Sequence, residues 1–381
     1  LEDPTNLGHN CLIGNINGHT IMKTDNRVKY FFKVIWLGGD KQWVSMDDLR
    51  LHDPSALVKY GTTHKLLKKP GWEWVSPYLP NDKELIEMAN EVEKILLIVT
   101  CYNRKQLTRK FLTSIYSNIE NSSFNLDVLL VDDDSPDKTG IMVATEFPEV
   151  KVIYGDGTLY WAGGVRLALQ HLNGKLQEYD RLLLANDDVE FVKGALDELV
   201  HVSRELNAFV GGTVLTSDGK VESTGGKFGI LCKPKPRLIT ANGEIQRCDM
   251  LPGHVLLIPI DRLNELGGFD KDLPYRFLDL EITIRAARQG IPVLLAPNPV
   301  AITNDYHDYF EETSSMRGSL KELVDRILLD PKGPYWRESV HYLKKVSPVL
   351  WWLWLPFFYR AFFKAVFLSY FEKMTGRSRR S

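Results

Sequence analysis

Between residues 95 and 185 the chain alternates between short unbroken apolar runs and segments with helical spacing. Ile95-Leu96-Leu97-Ile98-Val99 has no polar residue, as expected of a strand buried on both faces. Lys105 to Asn118 places Leu107, Phe111, Leu112 and Ile115 on one helical face. The spacing then predicts strand Asp127 to Val131, helix Gly140 to Phe147, strand Val150 to Tyr154, helix Gly163 to Leu172 and strand Arg181 to Leu184. Repeated β–α–β units imply a parallel sheet with right-handed crossovers. Ligands of such sheets bind beyond the carboxyl ends of the strands.

Outside this region the pattern changes. Residues 1–68 read as a small β module: Val28 to Trp36 is strand-like, Gly38-Gly39-Asp40 turns, and Gln42-Trp43-Val44 resumes. A short helix is expected over Ser55 to Tyr60. Residues 69–93 form a linker and lead-in helix, with Leu85, Met88 and Val92 on the apolar face of a helix from Asp82 to Lys94. A main α/β domain spans 94–312, in which Phe277-Leu278-Asp279-Leu280-Glu281 opens a helix running to Arg288. Residues 313–381 form a helical extension. Its stretch from Pro348 to Phe371 is rich in Trp and Phe, carries Arg360 and Lys364 one turn apart, and leads into Lys373, Arg377, Arg379 and Arg380. The uncharged part is too short to span a bilayer, so it is expected to lie in the headgroup plane, or else to pack as a buried or oligomer-contact helix.

Acidic residues gather at the ends of the apolar runs. Val128-Leu129-Leu130-Val131 ends in Asp132-Asp133-Asp134-Ser135, and Leu183-Leu184-Ala185 ends in Asn186-Asp187-Asp188. Adjacent carboxylates repel, and in the sequence no cation stands beside Asp187 and Asp188, so a divalent metal is the expected relief. With Asp279 and Glu281 downstream, three clusters point to one pocket for a metal and a phosphorylated ligand. Taken singly, each cluster also suits a helix cap or turn.

Composition narrows the class only a little. The 381 residues suggest about two or three domains. Hydrophobic residues make up 44% and charged residues 25%, and the net charge of -2 gives no general bias toward nucleic acid. Cys11, Cys101, Cys232 and Cys248 lack CxxC spacing, which points away from zinc and disulfides and toward a reducing cytosolic compartment. No basic-then-apolar leader opens the sequence.

The loops carry a specific order of motifs. Thr100-Cys101-Tyr102-Asn103-Arg104 follows the first strand, DDDSPDKT from Asp132 the second, and Gly155-Asp156-Gly157-Thr158-Leu159-Tyr160-Trp161-Ala162-Gly163-Gly164 the third. Asn186-Asp187-Asp188 follows the fourth, then come Leu251-Pro252-Gly253-His254, Leu266-Gly267-Gly268-Phe269-Asp270 and Asp279 to Gly290. In this order and spacing, residues 94–370 resemble the inverting family 2 glycosyltransferases with a GT-A fold, a Rossmann-like mixed sheet with flanking helices. The flavour is similar to the rhamnosyl- and galactofuranosyl-type transferases of surface polysaccharide assembly.

The resemblance implies roles. Thr100 and Asn103 would line the nucleotide pocket, and Asp132 or Asp133 would accept the pyrimidine N3–H. Asp156 would contact nucleotide or ribose. Gly163 and Gly164 would let backbone approach the diphosphate or donor sugar, and Trp161 would stack on a sugar or simply pack. Asp187 and Asp188 would be the metal pair, Asp188 the direct ligand of Mg²⁺ or Mn²⁺, with His307 a further candidate near Asn304, where the family usually has histidine. Asp279 matches the second acidic position of the family's Glu-Asp pair, the general base; Leu278 holds the first. Arg166 reads as a phosphate contact or a solvated helix arginine, and Glu281 as an exposed ion pair with Arg285. The implied partners are a UDP- or dTDP-type sugar donor, a glycan or lipid-linked acceptor and the inner membrane surface, with no nucleic acid.

The N-terminal stretch Val28 to Tyr60 resembles a chromodomain-like small barrel, Trp36 and Trp43 matching its tryptophans. A methyl-lysine cage needs several ring faces. Gly39 stands where a second aromatic belongs, so a generic SH3-like barrel that packs on the transferase or holds a partner is expected. Two other functions fit less well: a sugar-phosphate nucleotidyltransferase, whose Gly-rich first loop is missing at Thr100 to Arg104, and a non-enzymatic adaptor built on the barrel.

Overall fold

The computed structural model describes residues 13–24, 27–36, 41–52, 57, 60–61, 66, 69, 72, 92–119, 122, 124–229, 236–303, 320–330 and 335–375. They fall into two compact units, Leu1–Glu91 and Val92–Ser381.

In the first unit β1 (Ile13–Thr24), β2 (Arg27–Trp36) and β3 (Lys41–Ser45) form an antiparallel sheet in that order, followed by α1 (Met46–His52). Neither β1 nor α1 is evident from the sequence pattern. The Ser45 hydroxyl donates to Asp48 at 2.5 Å and accepts from the Asp48 amide at 3.2 Å, which starts α1. Tyr30, Phe32, Leu49, Leu57, Tyr60 and Trp72 form its core, while Trp43 is exposed. The turn 38–40 and residues 82–91 of the lead-in helix lie outside the described residues, and Glu93-Lys94 belong to a strand.

The second unit opens with β4 (Glu93–Cys101), α2 (Lys105–Ile119), β5 (Phe124–Asp132), α3 (Thr139–Glu146), β6 (Lys151–Tyr154), α4 (Tyr160–Leu172) and β7 (Arg181–Asn186). Then come β8 (Val189–Phe191), α5 (Ala195–Leu206), β9 (Phe209–Thr216), β10 (Val221–Ser223), β11 (Gly226–Lys227), β12 (Arg237–Leu238) and β13 (Gln246–Arg247). It closes with β14 (Val255–Pro259), α6 (Ile260–Glu265), α7 (Leu278–Arg288), β15 (Val293–Thr303), α8 (Leu320–Leu329), α9 (Trp336–Val346), α10 (Trp351–Phe358) and α11 (Arg360–Thr375).

The main sheet is mixed, in the order β13-β15-β9-β14-β7-β4-β5-β6. Strands β4, β5, β6 and β7 run parallel, and β14 runs antiparallel to both β7 and β9. The apolar run of β4 is explained by burial on both faces. Leu97 and Val99 pack with Phe111 and Leu112 of α2, while Leu96 and Ile98 pack with Val165 of α4 and Ile282 of α7.

Three local expectations change. Helix α4 begins at Tyr160, three residues before Gly163, so Trp161, Gly163 and Gly164 all lie inside it. The Glu281–Arg285 pair forms, with both contacts at 2.9 Å, but Glu281 is buried rather than exposed. Arg166 is half-buried rather than freely solvated: its guanidinium donates to the carbonyls of Asp270 and Leu273 and holds the chain that leads to α7. No helix among the described residues is long and apolar enough to cross a membrane.

Candidate active site

Sheet register gathers the acidic strand ends. Cys101 of β4 lies beside Asp132 of β5, and Thr100 lies beside Asn186 of β7. Strand β14 begins opposite, Val255 facing Ala185, and the Asn186 amide donates to the His254 carbonyl at 3.2 Å. Asp132, Thr100, Asn186 and Gly253 therefore line one sheet edge across four neighbouring strands. At about 4.8 Å between strands, that edge is about 15 Å long.

Asp187 and Asp188 are buried at its centre, but they are not without a cation. Arg104, from the β4–α2 loop, donates through Nη1 to Asp187 Oδ1 at 3.3 Å and to Asp188 Oδ2 at 2.5 Å. This corrects the sequence expectation, since a guanidinium 83 residues away does what no neighbour in the chain can. The Thr108 hydroxyl donates to Asp187 Oδ2 at 3.0 Å. Burial, with the Asp188 charge adding to it, still pushes the Asp187 carboxyl up to about 7 despite Arg104. Asp188 Oδ1 is buried and has no hydrogen-bond partner. A carboxylate oxygen in that state is costly unless something positive meets it. Asp188 with Asp187 beside it therefore fits a divalent cation. His307 and Asn304 lie outside the described residues.

Asp132 and Asp133 are engaged with backbone. Asp132 Oδ2 accepts the Gly140 amide at 2.7 Å in the first turn of α3, and Oδ1 accepts the Ser135 amide at 3.0 Å. Asp133 accepts the amides of Gly157 at 2.8 Å, Leu159 at 3.0 Å and Tyr160 at 3.2 Å. Each carboxylate thus caps a helix, where an anion meets unpaired amides and the positive end of the dipole. Asp156 makes a local turn, accepting the Thr158 amide at 2.9 Å. Asn103 sits at φ 55° and its amide donates to Ser135 Oγ at 3.0 Å, stitching the first two loops together.

The α4 glycines serve packing. The Gly163 amide is already bonded to the Leu159 carbonyl at 3.1 Å. A β-carbon on Gly164 would stand 2.6 Å from Thr100 Cγ2, so the missing side chain lets α4 press on β4. The helix N-terminus expected to receive a diphosphate is occupied by Asp133.

Asp279 stands in the first turn of α7. Its Oδ2 accepts the Gly253 amide at 2.5 Å, and burial raises its carboxyl above the usual range. Trp161 completes this corner: a β-carbon on Gly253 would fall 2.6 Å from Trp161 Cζ2 and 3.1 Å from Asp279 Cβ. The importance of Gly253 as the meeting point of indole and carboxylate is not readable from the chain, where the three residues are far apart. A second acidic group, Asp270, Asp272 and His341, brings its ligand atoms within 4.8 Å of one another. There Lys345 Nζ already lies 2.9 Å from Asp270 Oδ2 and supplies the positive charge.

Residues 96–251 match the profile of the family described as glycosyl transferase family 2. No curated protein matches the chain. Among solved structures, GalNAc-T7 with UDP, GalNAc and Mn²⁺ is 14% identical with a TM-score of 0.46, over 69% of this chain and 52% of that one. The chain thus spans about half the length of that relative. A mannosyltransferase from Pyrobaculum calidifontis, in complex with GDP-Man and Mn²⁺, is 16% identical with a TM-score of 0.43, over 87% of this chain and 86% of that one. The glycosyl transferase family 2 match thus covers β4 to the loop before β14, the part of the mixed α/β sheet whose strand ends carry the acidic residues.

Proposed function

We propose that the protein is a metal-dependent inverting glycosyltransferase that moves a sugar from a UDP- or dTDP-type donor to a hydroxyl of a glycan or glycolipid. One observation carries the reading. A single sheet edge holds a buried carboxylate oxygen without a partner, on Asp188, and beside it a second, half-buried carboxylate, Asp279 of α7, tied to the Gly253 amide just before the neighbouring strand β14.

Asp188, with Asp187 beside it, would hold Mg²⁺ or Mn²⁺. The bound ion supplies charge neutralisation for the departing nucleoside diphosphate. Arg104 lowers the repulsion between the two carboxylates when the cation is away. Thr100, Asn103, Asp132, Asp133 and Asp156 lie along the β4–β6 side, where the nucleotide is read. Both Asp132 oxygens and Asp133 Oδ1 accept one amide each and keep a second lone pair, so a pyrimidine N3–H still has an acceptor. At the other end Asp279 takes the proton of the acceptor hydroxyl while that oxygen attacks the anomeric carbon. The bond to the diphosphate breaks on the opposite face, and the configuration inverts. A carboxyl raised by burial is a better base than one in water. Trp161 offers its ring to a sugar beside that base.

The apolar C-terminal helices support a place on the cytoplasmic membrane surface, in the assembly of a surface polysaccharide. Trp352, Leu353, Phe363, Phe367 and Tyr370 are exposed, with Arg360 and Lys364 exposed among them. That mixture suits the lipid headgroup layer. The N-terminal unit, as an SH3-like module, would hold a partner.

A thermal-shift screen of UDP- and dTDP-sugars with and without Mn²⁺ tests the function. A metal-dependent shift followed by release of nucleoside diphosphate is expected. Release of pyrophosphate instead would make the protein a nucleotidyltransferase, and no metal-dependent shift with any nucleotide would overturn the enzymatic reading.

A further inference from the structure

The start of α7 has no local reason to be where it is. Phe277, the residue before the helix, sits at φ 62°, and no side chain caps the helix at that position. A bulky residue in the left-handed region holds only where its surroundings over-determine it. Those surroundings come from α9, about 60 residues later in the chain. The Tyr342 ring lies flat on Phe277, with centroids 4.3 Å apart and 9° between planes, and Tyr342 is fully buried. Glu338, also buried, accepts the Tyr275 amide at 2.7 Å and the Arg276 amide at 3.4 Å through one oxygen. His341 and Lys345 hold Asp270, each at 2.9 Å, at the other end of the same loop. Arg288 of α7 in turn donates to the carbonyls of Lys345 and Val346. Successive turns of α9, from Glu338 to Val346, thus grip the segment 270–288.

We infer that Glu338 and Tyr342 of α9 are positioning residues for transfer, fixing the backbone of 275–277 so that Asp279 meets the Gly253 amide and faces the acceptor. This rests on the reading of Asp279 as the base. Neither residue touches substrate; both act through the loop. The negative charge of Asp279 adds to burial in raising the Tyr342 hydroxyl, consistent with their closeness. A helix serving only as outer packing would have no need to bury a carboxylate against two amides, since apolar contact costs nothing in desolvation.

The test compares the full chain with Glu338→Ala and Tyr342→Leu, and with the conservative Glu338→Gln and Tyr342→Phe, which keep an amide acceptor and a stacking ring. Hydrogen exchange of the unliganded protein should quicken at amides 275–281 in the first pair, on the order of 10-fold or more. The kcat for nucleoside diphosphate release, with the UDP- or dTDP-hexose that gives the largest Mn²⁺-dependent thermal shift, should fall by roughly 10- to 100-fold. The donor KM should stay within about twofold, and the conservative pair should stay close to the parent. Should Glu338→Ala not fold, Glu338→Asp, one methylene short, reads the same quantities. Parental kcat in both first-pair variants overturns the inference. So does a kcat loss matched by an equal loss of donor affinity, or one without faster exchange at 275–281. Asp279→Asn run alongside separates the two readings: its parental turnover would remove the base, whereas slow Asp279→Asn with fast Glu338→Ala and Tyr342→Leu would remove the positioning alone.

Discussion

Gly253→Ala probes the site at its tightest point. The added β-carbon would lie 2.6 Å from Cζ2 and 2.8 Å from Cη2 of Trp161, and 3.1 Å from Cβ of Asp279. Carbon atoms rest about 3.5–4.0 Å apart, so the indole must recede by about 1 Å. The backbone offers little relief. The Gly253 amide is bonded to Asp279 at 2.5 Å, and the next carbonyl is tied to the Asn186 amide of β7. Overpacking of this kind costs about 1–3 kcal/mol, and each kcal/mol lowers Tm by about 2–4 °C in a domain of this size. Catalysis should suffer more than stability, because a misplacement of about 1 Å at reacting groups costs on the order of 10²-fold in rate. Calorimetric melting, nucleoside diphosphate release and nucleotide binding would be measured together. Gly229→Ala serves as the control, since a β-carbon there meets nothing within 4 Å. The expected pattern is a modest Tm loss, a large kcat loss and unchanged nucleotide affinity. A Gly253→Ala protein with parental kcat would show that the corner formed by Trp161 and Asp279 plays no part in transfer.

Four further outcomes follow from named contacts. Asp279→Asn should abolish transfer and leave nucleotide binding nearly unchanged; because burial raises the Asp279 carboxyl, the acidic limb of the parental kcat profile should lie above the ordinary carboxylate value of about 4, and a limb at or below it would refute the assignment. Asp188→Ala should weaken Mn²⁺-dependent nucleotide binding in calorimetry, and unchanged binding would remove it from the metal site. Burial pushes the Asp270 carboxyl up, but hydrogen bonds from His341, the Asp272 amide and Lys345 outweigh it and hold the group below its usual range. Its contribution is therefore present above the unfolded value and lost as pH falls through the folded one, so Asp270→Asn should cost about 1–2 kcal/mol at pH 7 with the gap in Tm closing at strongly acidic pH, and a gap that does not depend on pH would count against the ion pairs. Deleting residues 349–381 should release the protein from anionic vesicles in co-sedimentation, and continued binding would reject the interfacial role of the tail.

The strands and helices of the α/β unit were legible because burial leaves a local trace. A strand covered on both faces must be apolar at every position, as 95–99 and 128–131 are, and a helix covered on one face must repeat its apolar residues, as Phe111, Leu112 and Ile115 do. The acidic strand ends were legible for the same reason, since a carboxylate placed after a buried strand falls at a sheet edge. The first unit left a weaker trace. Its longest strand, β1, carries Asn, His and Thr among its apolar residues and does not read as a strand by pattern alone.

The chain by itself determined which elements form and which residue types reach the edge of the sheet. Tertiary structure decided what those residues meet. Only the fold sets Arg104 across Asp187 and Asp188, turns Asp133 onto the amides that start α4, buries Glu281 and lays Tyr342 on Phe277. The reason is range: hydrophobic periodicity is a property of a few neighbouring residues, whereas charge pairing and ring stacking fall off within a few ångströms of space. Residues far apart along the backbone acquire those distances only after strand order and helix packing have been chosen.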